Sequence, residues 1–549
     1  MRRRDFLKDM TAATCGLSLP GLSGCAPDTK SLPPGSLDSG NARLGHRLRH
    51  DEFPPPVEVI RAPVLIAGAG IAGLSAAWRL KREGFDDFAL IELEDTPGGN
   101  SRYGENAISR YPLAAHYLPL PNPEARAVRA LLADLGALQS DPDAPEPVYD
   151  ERYLCHAPQE RLYRLGVWQE GLIPHLGVAR AELDEQARFF ARMESLRALR
   201  DKRGRRVFAL PLAYGGEAPE WVAGLDTLTM YDWMRQEGFN APSLHWYVNY
   251  VCRDDYGTDY RHISAWAGVH YFACRIGRGG EGANDSVLTA PEGNGWLVER
   301  LLAFIGKAHA PRCGEMVHAL AQTPRGCRVD VWNEARQVSL RYEAEHLVWA
   351  APLFVLAHVA HELPSELSAA IAPLSYAPWL IANLSLSETP PPGAGLPLCW
   401  DNVLQDSPSL GYVTATHQNI RVAGGPTVLT YYNALSGIEP FQARHMLLSK
   451  PHRLWAEEIL RDLAHAHRDI RELTTRLDIQ CHGHAMSRPL PGFNDPARRR
   501  RLADGWGRVR LAHADLSGLS LFEESNYWGV RAAENILTAQ GARLKERLA

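Results

Sequence analysis

An uninterrupted apolar run, Val64-Leu-Ile-Ala67, stops at three glycines, Gly68, Gly70 and Gly73, after which apolar residues return at helical spacing as far as Leu80. That order predicts a strand, a tight turn and a helix. A second apolar run from Phe88 ends at Glu92, about 20 residues beyond the glycines. Past this unit the alternation of strand and helix breaks down. Glu124–Leu135, Ala181–Leu199 and Thr227–Phe239 carry apolar residues at i, i+3 and i+4, which predicts amphipathic helices. Ser243–Tyr256 and Trp266–Tyr271 are rich in aromatic residues. After Pro291–Leu297 and a further helical stretch the period changes to that of strands, over Cys327–Trp332 and Gln337–Tyr342, with His346–Pro352 read as a buried strand ended by proline. A second mixed region runs to about Pro491; Arg508–Asp515 is then strand-like and Tyr527–Leu537 helical. No repeat recurs along the chain.

The first unit has a specific physical reading. Gly68 permits the turn, Gly70 lets backbone come close to a pyrophosphate, Ala72 stands in the first helical turn, and Gly73 lets helix and strand approach. A helix N-terminus facing that point favours an anion through its free N–H groups and dipole. Glu92 is placed to accept hydrogen bonds from a ribose diol. The motif says dinucleotide, and a flavin in preference to a nicotinamide.

The N-terminus changes the picture of where the protein works. Arg2-Arg3-Arg4-Asp5-Phe6-Leu7-Lys8 is basic and precedes a short, weakly apolar stretch, as in a twin-arginine export signal. It is too short and interrupted for a membrane span. Leu22-Ser23-Gly24-Cys25 reads as a lipobox, so residues 1–25 are expected to be a signal, Cys25 the lipid attachment, and residues 26–60 a tether, Pro/Gly/Ser-rich from Ala26 to Leu44. The expectation is a periplasmic or other extracytoplasmic lipoprotein, exported already folded around its cofactor and held at a membrane beside a membrane-associated electron acceptor.

Charge and cysteine content mainly exclude. The formal net charge is -5, and loss of the four basic and two acidic residues before Cys25 takes it to -7. Arg498–Arg501 is the sole basic tract left, read as a solvated helix end or loop, so nucleic acid is not an expected partner. Apart from Cys15 and Cys25, seven cysteines are scattered without CxxC spacing, and only Cys481 and His484 stand at CxxH spacing, so no metal site is expected. Nothing like a nucleophile elbow occurs, which excludes hydrolase chemistry.

The layout resembles the FAD-dependent amine oxidase superfamily, which includes amine oxidases, protoporphyrinogen oxidases and phytoene desaturases. Gly68, Gly70, Gly73 and Glu92 match its ADP-binding fingerprint, and Gly98-Gly99 the glycine pair after it. Where most members continue with arginine, this chain has Asn100 and Ser101, then Arg102. Ala114-Ala115-His116-Tyr117 resembles the loop beside the flavin ring, Arg312–His318 the segment whose valine, here Val317, touches the adenine end, and Ala350-Ala351-Pro352 the strand end near the cofactor. His513-Ala514-Asp515 stands where the family has a small residue and an acid; Asp515 would bind ribityl or phosphate groups, with the following helix, near Gly529, pointing at the cofactor. Glu292, Asn294 and Trp296 fall in the glycine-rich turn at the cofactor's edge.

The resemblance implies FAD and an α/β fold: a Rossmann-like FAD-binding domain from three segments, residues 61–121, 291–355 and 501–549, with an α+β substrate domain inserted as residues 122–290 and 356–500. Two departures concern catalysis. Amine oxidases carry a lysine near the flavin; no lysine occurs between Lys307 and Lys450, and His358 lies near the expected position. The family's aromatic substrate cage has only Tyr527 and Trp528 as counterparts. The leading expectation is dehydrogenation of a small amine, polyamines included, to an imine, with oxygen or another acceptor reoxidising the flavin. Tyr247, Tyr250, Tyr256, Trp266 and Tyr271 form a pool for a cation-binding cage, and Asp254 and Asp255 could attract a second cation. Desaturation or isomerisation of an apolar lipid, carotenoid or porphyrinogen is the second reading, and a non-catalytic flavin-bearing lipoprotein in an assembly the third.

Overall fold

Three separated stretches of chain meet on one strand. In the computed structural model, which describes residues 32–50, 52–280, 286–419 and 424–549, Val338–Trp349 lies parallel to Val59–Ala67 along one edge. Its other edge is shared: Gly326–Asn333 pairs antiparallel with its first half and Val509–Leu511 parallel with its last three residues. Phe88–Ile91 and Glu315–Thr323 complete a six-stranded sheet. Strands covered on both faces must be apolar throughout. Val64, Leu65, Ile66, Leu347 and Val348 accordingly have no exposed surface. The two strands read at Gln337–Tyr342 and His346–Pro352 are one continuous strand, because no turn residue separates them and the backbone pairs without a break with Val59–Ala67.

Helix Ile71–Arg82 packs on this sheet and against helices Gly295–Ile305 and Phe522–Ala539. The approach is backbone to backbone at two glycines. A Cβ on Gly73 would stand 1.8 Å from the carbonyl oxygen of Gly68, and one on Gly529 would stand 2.1 Å from that of Ala72. The buried Arg79 cross-links the layer, pairing with Glu83 at 2.8 Å and Glu534 at 2.9 Å.

The second body is an eight-stranded mixed sheet, built around Tyr376–Leu386 and its antiparallel neighbours Thr427–Ala434 and Thr474–Ser487. Helices Arg180–Arg197, Met230–Gln236, Pro242–Tyr256 and Ala265–Cys274 share its apolar core. The architecture is thus α/β, a Rossmann-like domain from three segments with an inserted α+β domain.

The signal and Cys25 lie outside the described residues. The expected tether does not extend to residue 60: Leu37–Asp38 adds a parallel strand beside Ile479–Gln480, and helix Ala42–His46 buries Leu44 against Met316 and Trp332. Open backbone at a sheet edge and one well-placed leucine suffice to recruit a segment whose composition reads as a linker. Arg498–Arg501 lies within helix Pro496–Asp504, where Arg498 donates to the Phe493 carbonyl and Arg499 to Asn494 Oδ1. Among the described residues seven cysteines are unpaired, no cluster could hold a metal, and no helix is long and apolar enough to cross a membrane.

Replacing Gly529 by valine drives a side chain into the Ala72 carbonyl, and overpacking of this kind costs about 3 kcal/mol. Denaturant unfolding of Gly529→Val should show that loss; an unchanged midpoint would show that the two helices separate freely at this contact.

Candidate functional site

A cavity of about 700 Å³ runs from the turn after Val59–Ala67 into the interface with the large sheet. Its floor is the glycine turn. Gly68 has φ +105°, and a Cβ there would lie 2.9 Å from the Ala350 carbonyl oxygen. Gly70 and Gly99 face one another: a Cβ on Gly99 would lie 3.3 Å from the Gly70 Cα. Gly98, at φ +122°, donates its N–H to Ala69 at 2.8 Å, which holds the second turn against the first. Ala72, Gly98, Gly99, Asn100 and Arg102 line the same stretch. Asn100 is anchored by its side chain to the Ala485 carbonyl at 2.7 Å, and Arg102 pairs with Glu94 at 3.2 Å. A trough of bare backbone under a helix N-terminus suits a pyrophosphate.

On one side of the trough stands Glu92, whose Oε2 accepts from Ala69 N at 2.6 Å and Oε1 from Glu94 N at 3.0 Å. Burial pushes its carboxyl above the usual range, and these two backbone N–H groups oppose that. Val317 and Glu315 line the cavity beyond it. Asp515 closes the trough, accepting from Leu353 N at 2.9 Å, Tyr376 Oη at 2.6 Å and Ser487 Oγ at 2.9 Å. Burial opposes its ionisation, but the neighbouring His513 and these donors outweigh burial and hold it below its ordinary value.

The loop Ala114–Tyr117 forms the wall at the far side. The backbone of the loop and of the residue before it is held by hydrogen bonds from several sides: Ala115 N donates to Asn100 O at 2.8 Å, Asn294 N donates to Ala115 O at 3.0 Å, Tyr432 Oη donates to Ala114 O at 3.0 Å, and His482 Nε2 meets Leu113 O at 2.9 Å. A carbonyl only accepts, so His482 carries its proton on Nε2. Asn294 lines the cavity and donates Nδ2 to Tyr117 O at 2.9 Å, while its buried Oδ1 has no partner among the described residues. An unpaired acceptor on a residue of the cavity lining fits a dinucleotide carrying N–H donors.

Beyond the loop the cavity becomes aromatic and acidic. The His116 ring lies 4.5 Å from that of Tyr432 and 5.5 Å from Trp400. Asp254, Asp255, Arg275 and Glu523 line this end. Arg275 is taken by Glu523 at 3.0 Å and Asp255 at 3.7 Å. The Asp254 carboxylate has neither a hydrogen bond nor an ion pair among the described residues. It is half-buried and lines the cavity. Burial, then the charge of Asp255, pushes it up to about 7 against the pull of Arg253 and Arg275. Asp401 is raised further, by burial and by the charge of Asp254.

Several expected residues lie elsewhere. His358 sits exposed on the last turn of helix Leu353–Val359, which packs beside Glu315–Thr323; it borders the cavity at the Val317 end, away from His116 and Asp254. Tyr527 and Trp528 are buried in the helix-on-sheet core, Trp528 donating to Ser517 Oγ at 2.7 Å, and neither lines the cavity. The reason is helical phase: Leu521, Phe522, Glu523 and Ser525 occupy the first turn facing the cavity, and the next turn faces inward. Gly529 belongs to the same inner face, in contact with Ala72. The aromatic pool of Tyr247, Tyr250, Tyr256, Trp266 and Tyr271 belongs to the helical core, Tyr256 donating to the Ala267 carbonyl. Of the glycine-rich turn, Asn294 lines the cavity, whereas Trp296 stacks on Tyr153 at 4.1 Å. The aromatic wall comes instead from Tyr117, Trp379 and Tyr432, with His482 and His484 on the neighbouring strand. The alternation in Cys481-His-Gly-His484 is the one sequence signal for the histidines, since it sends both to one face of a strand.

Residues 66–135 match the sequence profile of the NAD(P)-binding Rossmann-like domain. No curated protein matches the chain. Among solved structures, wild-type putrescine oxidase bound to putrescine superposes with a TM-score of 0.61 at 16% identity, over 87% of this chain and 100% of that one. Cyclohexylamine oxidase from Brevibacterium oxydans does so at 0.61 and 15%, over 88% and 100%. A fatty acid isomerase from P. acnes that produces CLA superposes at 0.59 and 13%, over 86% and 98%. This chain shares their fold.

Burial lowers His116, His482 and His484 to about 4 each. An imidazole depressed in the native state contributes stability that is complete above its unfolded value of 6.5 and is lost as pH falls toward 4. Denaturant unfolding of His482→Gln, which keeps the donor to Leu113, should show a pH slope in this window shallower by up to ~1.4 kcal/mol per pH unit. A wild-type slope would mean that His482 takes up its proton in the folded protein as readily as in the unfolded chain.

Proposed function

We propose that the protein is an exported FAD-dependent oxidoreductase that dehydrogenates a small amine, polyamines included, to an imine. Bound FAD would supply acceptance of two electrons with the hydrogen of the C–H bond next to nitrogen, and dioxygen or a membrane-associated acceptor would take those electrons onward. The chain's own residues supply binding and exclusion of water. Gly70, Gly99 and the N-terminus of helix Ile71–Arg82 would hold the pyrophosphate, Glu92 the ribose, and Asn294 Oδ1 would accept from the flavin side of the cofactor. The Ala114–Tyr117 loop would wall off the reacting bond.

The observation that carries the amine reading is Asp254. A half-buried carboxylate that lines a cavity and lacks a partner is stabilised by a cation entering that cavity. Tyr117, Tyr432 and Trp379 add aromatic faces at the same end, which also favour a cation. The imine released by dehydrogenation would be hydrolysed by water to a carbonyl compound and an amine. Export and acylation at Cys25 rest on the sequence, and they would keep this activity outside the cytoplasm.

Two observations favour desaturation or isomerisation of an apolar substrate: no lysine lines the cavity among the described residues, and a fatty acid isomerase shares the fold. Anaerobic titration of the purified protein separates the readings. The flavin absorbance should bleach with amines and not with apolar polyenes. A flavin bleached only by polyenes transfers the assignment to the second reading, a flavin that no metabolite reduces to the non-catalytic one, and a protein without flavin after reconstitution removes all three. Asp254 ionises as pH rises through about 7, so the KM for a cationic amine should fall over that range. Asp254→Asn should abolish the fall and raise KM at pH 8 by about 10- to 100-fold with flavin content unchanged.

A further inference from the structure

Helix Pro440–Ser449 is apolar on both faces. Ala443 and Leu447 are buried, as a surface helix requires, yet Phe441 is 76% and Leu448 58% exposed. With His445 they stand at i, i+4 and i+7, along one outer stripe. Leu454, in the first turn of the following helix His452–Leu463, adds another exposed leucine. Core packing does not account for this stripe, because the helix already buries its other face.

The cations around it are short of acidic partners. The Arg49 side chain has no ion pair or hydrogen bond among the described residues, and neither has that of the exposed Arg453. Among the described residues the Arg444 side chain has only the Tyr376 carbonyl, at 3.3 Å. Arg49 lies close enough to Arg444 to disfavour its charge. Lys450 is different, being paired with Glu458. Arg49, Arg444 and Leu447 line the main cavity, and so does the exposed Leu448, so the cavity reaches the surface at this corner.

The start of the described chain runs past the same corner. Leu477 N donates to Pro34 O at 2.9 Å, His452 Nε2 meets Leu477 O at 2.7 Å, and a Cβ on Gly35 would lie 2.8 Å from His452 Nε2. Cys25 stands eight residues before Pro33 in sequence. Acyl chains on Cys25 would therefore tether Pro33 by no more than ~28 Å of extended chain.

We infer that the corner formed by Phe441, Leu448 and Leu454, with Arg49, Arg444 and Arg453 beside it, docks on the surface of an anionic phospholipid bilayer. Apolar side chains enter the headgroup layer and the arginines meet lipid phosphates, although the chain as a whole is acidic. A second copy meeting this face through a twofold contact would set arginines against arginines, which disfavours self-association. Docking would turn this opening of the cavity toward the membrane. The inference uses the lipoprotein reading only to say which membrane is met.

The test is flotation of the mature chain from residue 25 onward carrying Cys25→Ser, which removes the acyl site and keeps every described residue. Vesicles of phosphatidylglycerol with phosphatidylethanolamine should carry the protein up the gradient, and phosphatidylcholine vesicles should carry roughly tenfold less. Phe441→Ser with Leu448→Ser should lower partition to the anionic vesicles by roughly tenfold or more. Arg49→Gln with Arg444→Gln should remove most of its dependence on salt. Absence of flotation, or equal flotation of the serine variant, overturns the inference. So does sedimentation velocity showing a dimer that the serine substitutions dissociate, which would assign the face to a second copy. Mass spectrometry of the Cys25 peptide from the wild-type protein tests acylation separately, so either reading can fail without the other.

Discussion

The parallel seam between Val338–Trp349 and Val59–Ala67 is the constraint on which the rest depends. It brings together two segments about 280 residues apart in the chain, and it leaves half of the far edge open for Val509–Leu511. Three parts of the trough hang from the ends of these strands: Gly68 follows Ala67, Ala350-Ala351 follows Trp349, and Ala514-Asp515 follows Leu511. A register slip of one residue at the seam would reverse the faces of fully buried strands and move all three turns together. The close contacts of Gly73 with the Gly68 turn and of Gly529 with helix Ile71–Arg82 serve the same end, at distances no side chain permits.

The cavity is polarised along its length by how the surroundings satisfy charge. At the trough, carboxylates are met by internal donors: Asp515 accepts three hydrogen bonds and Glu92 two backbone N–H groups. At the aromatic end one arginine serves two acids, and Asp254 is left over. The three histidines along the wall are held neutral by burial and so do not offset its charge. The negative end is therefore a property of packing and not of net composition, since the same acids exposed to water would be screened and inconspicuous. The outer corner around Phe441 and Arg49 has the opposite character, apolar and cationic, which is how one cavity wall can present different chemistry to a small cation and to a lipid surface.

Much of the fold could be read from the chain before any coordinates. The strand, glycine turn, helix and second strand stand where the apolar pattern puts them, as do the later strands around Cys327–Trp332 and the helix around Tyr527–Leu537, because period and turn chemistry are local properties. Loop Ala114–Tyr117 and Asp515 also lie on the cavity. Its far wall was not legible. Trp379, Tyr432, His482 and His484 come from strands more than 250 residues beyond that loop, and apart from the alternation of His482 and His484 nothing local marks which face of a strand will meet a cavity. Tyr527 and Trp528 show the same limit from the other side: their helix is placed correctly, yet one turn of helical phase separates a cavity-facing residue from a core residue.

The sequence by itself determined the dinucleotide turn, the three-segment order of the chain and the apolar strands, since each follows from spacing among near neighbours and from the cost of burying polar backbone unpaired. Only the tertiary structure decided that residues 33–50 join the fold, that Asp254 faces the cavity without a partner while Asp255 has one, and that Leu448 lies on both the cavity wall and the surface. Those outcomes depend on which distant groups come within a few ångströms of one another, a distance set by the packing of two sheets and carried by no single stretch of sequence.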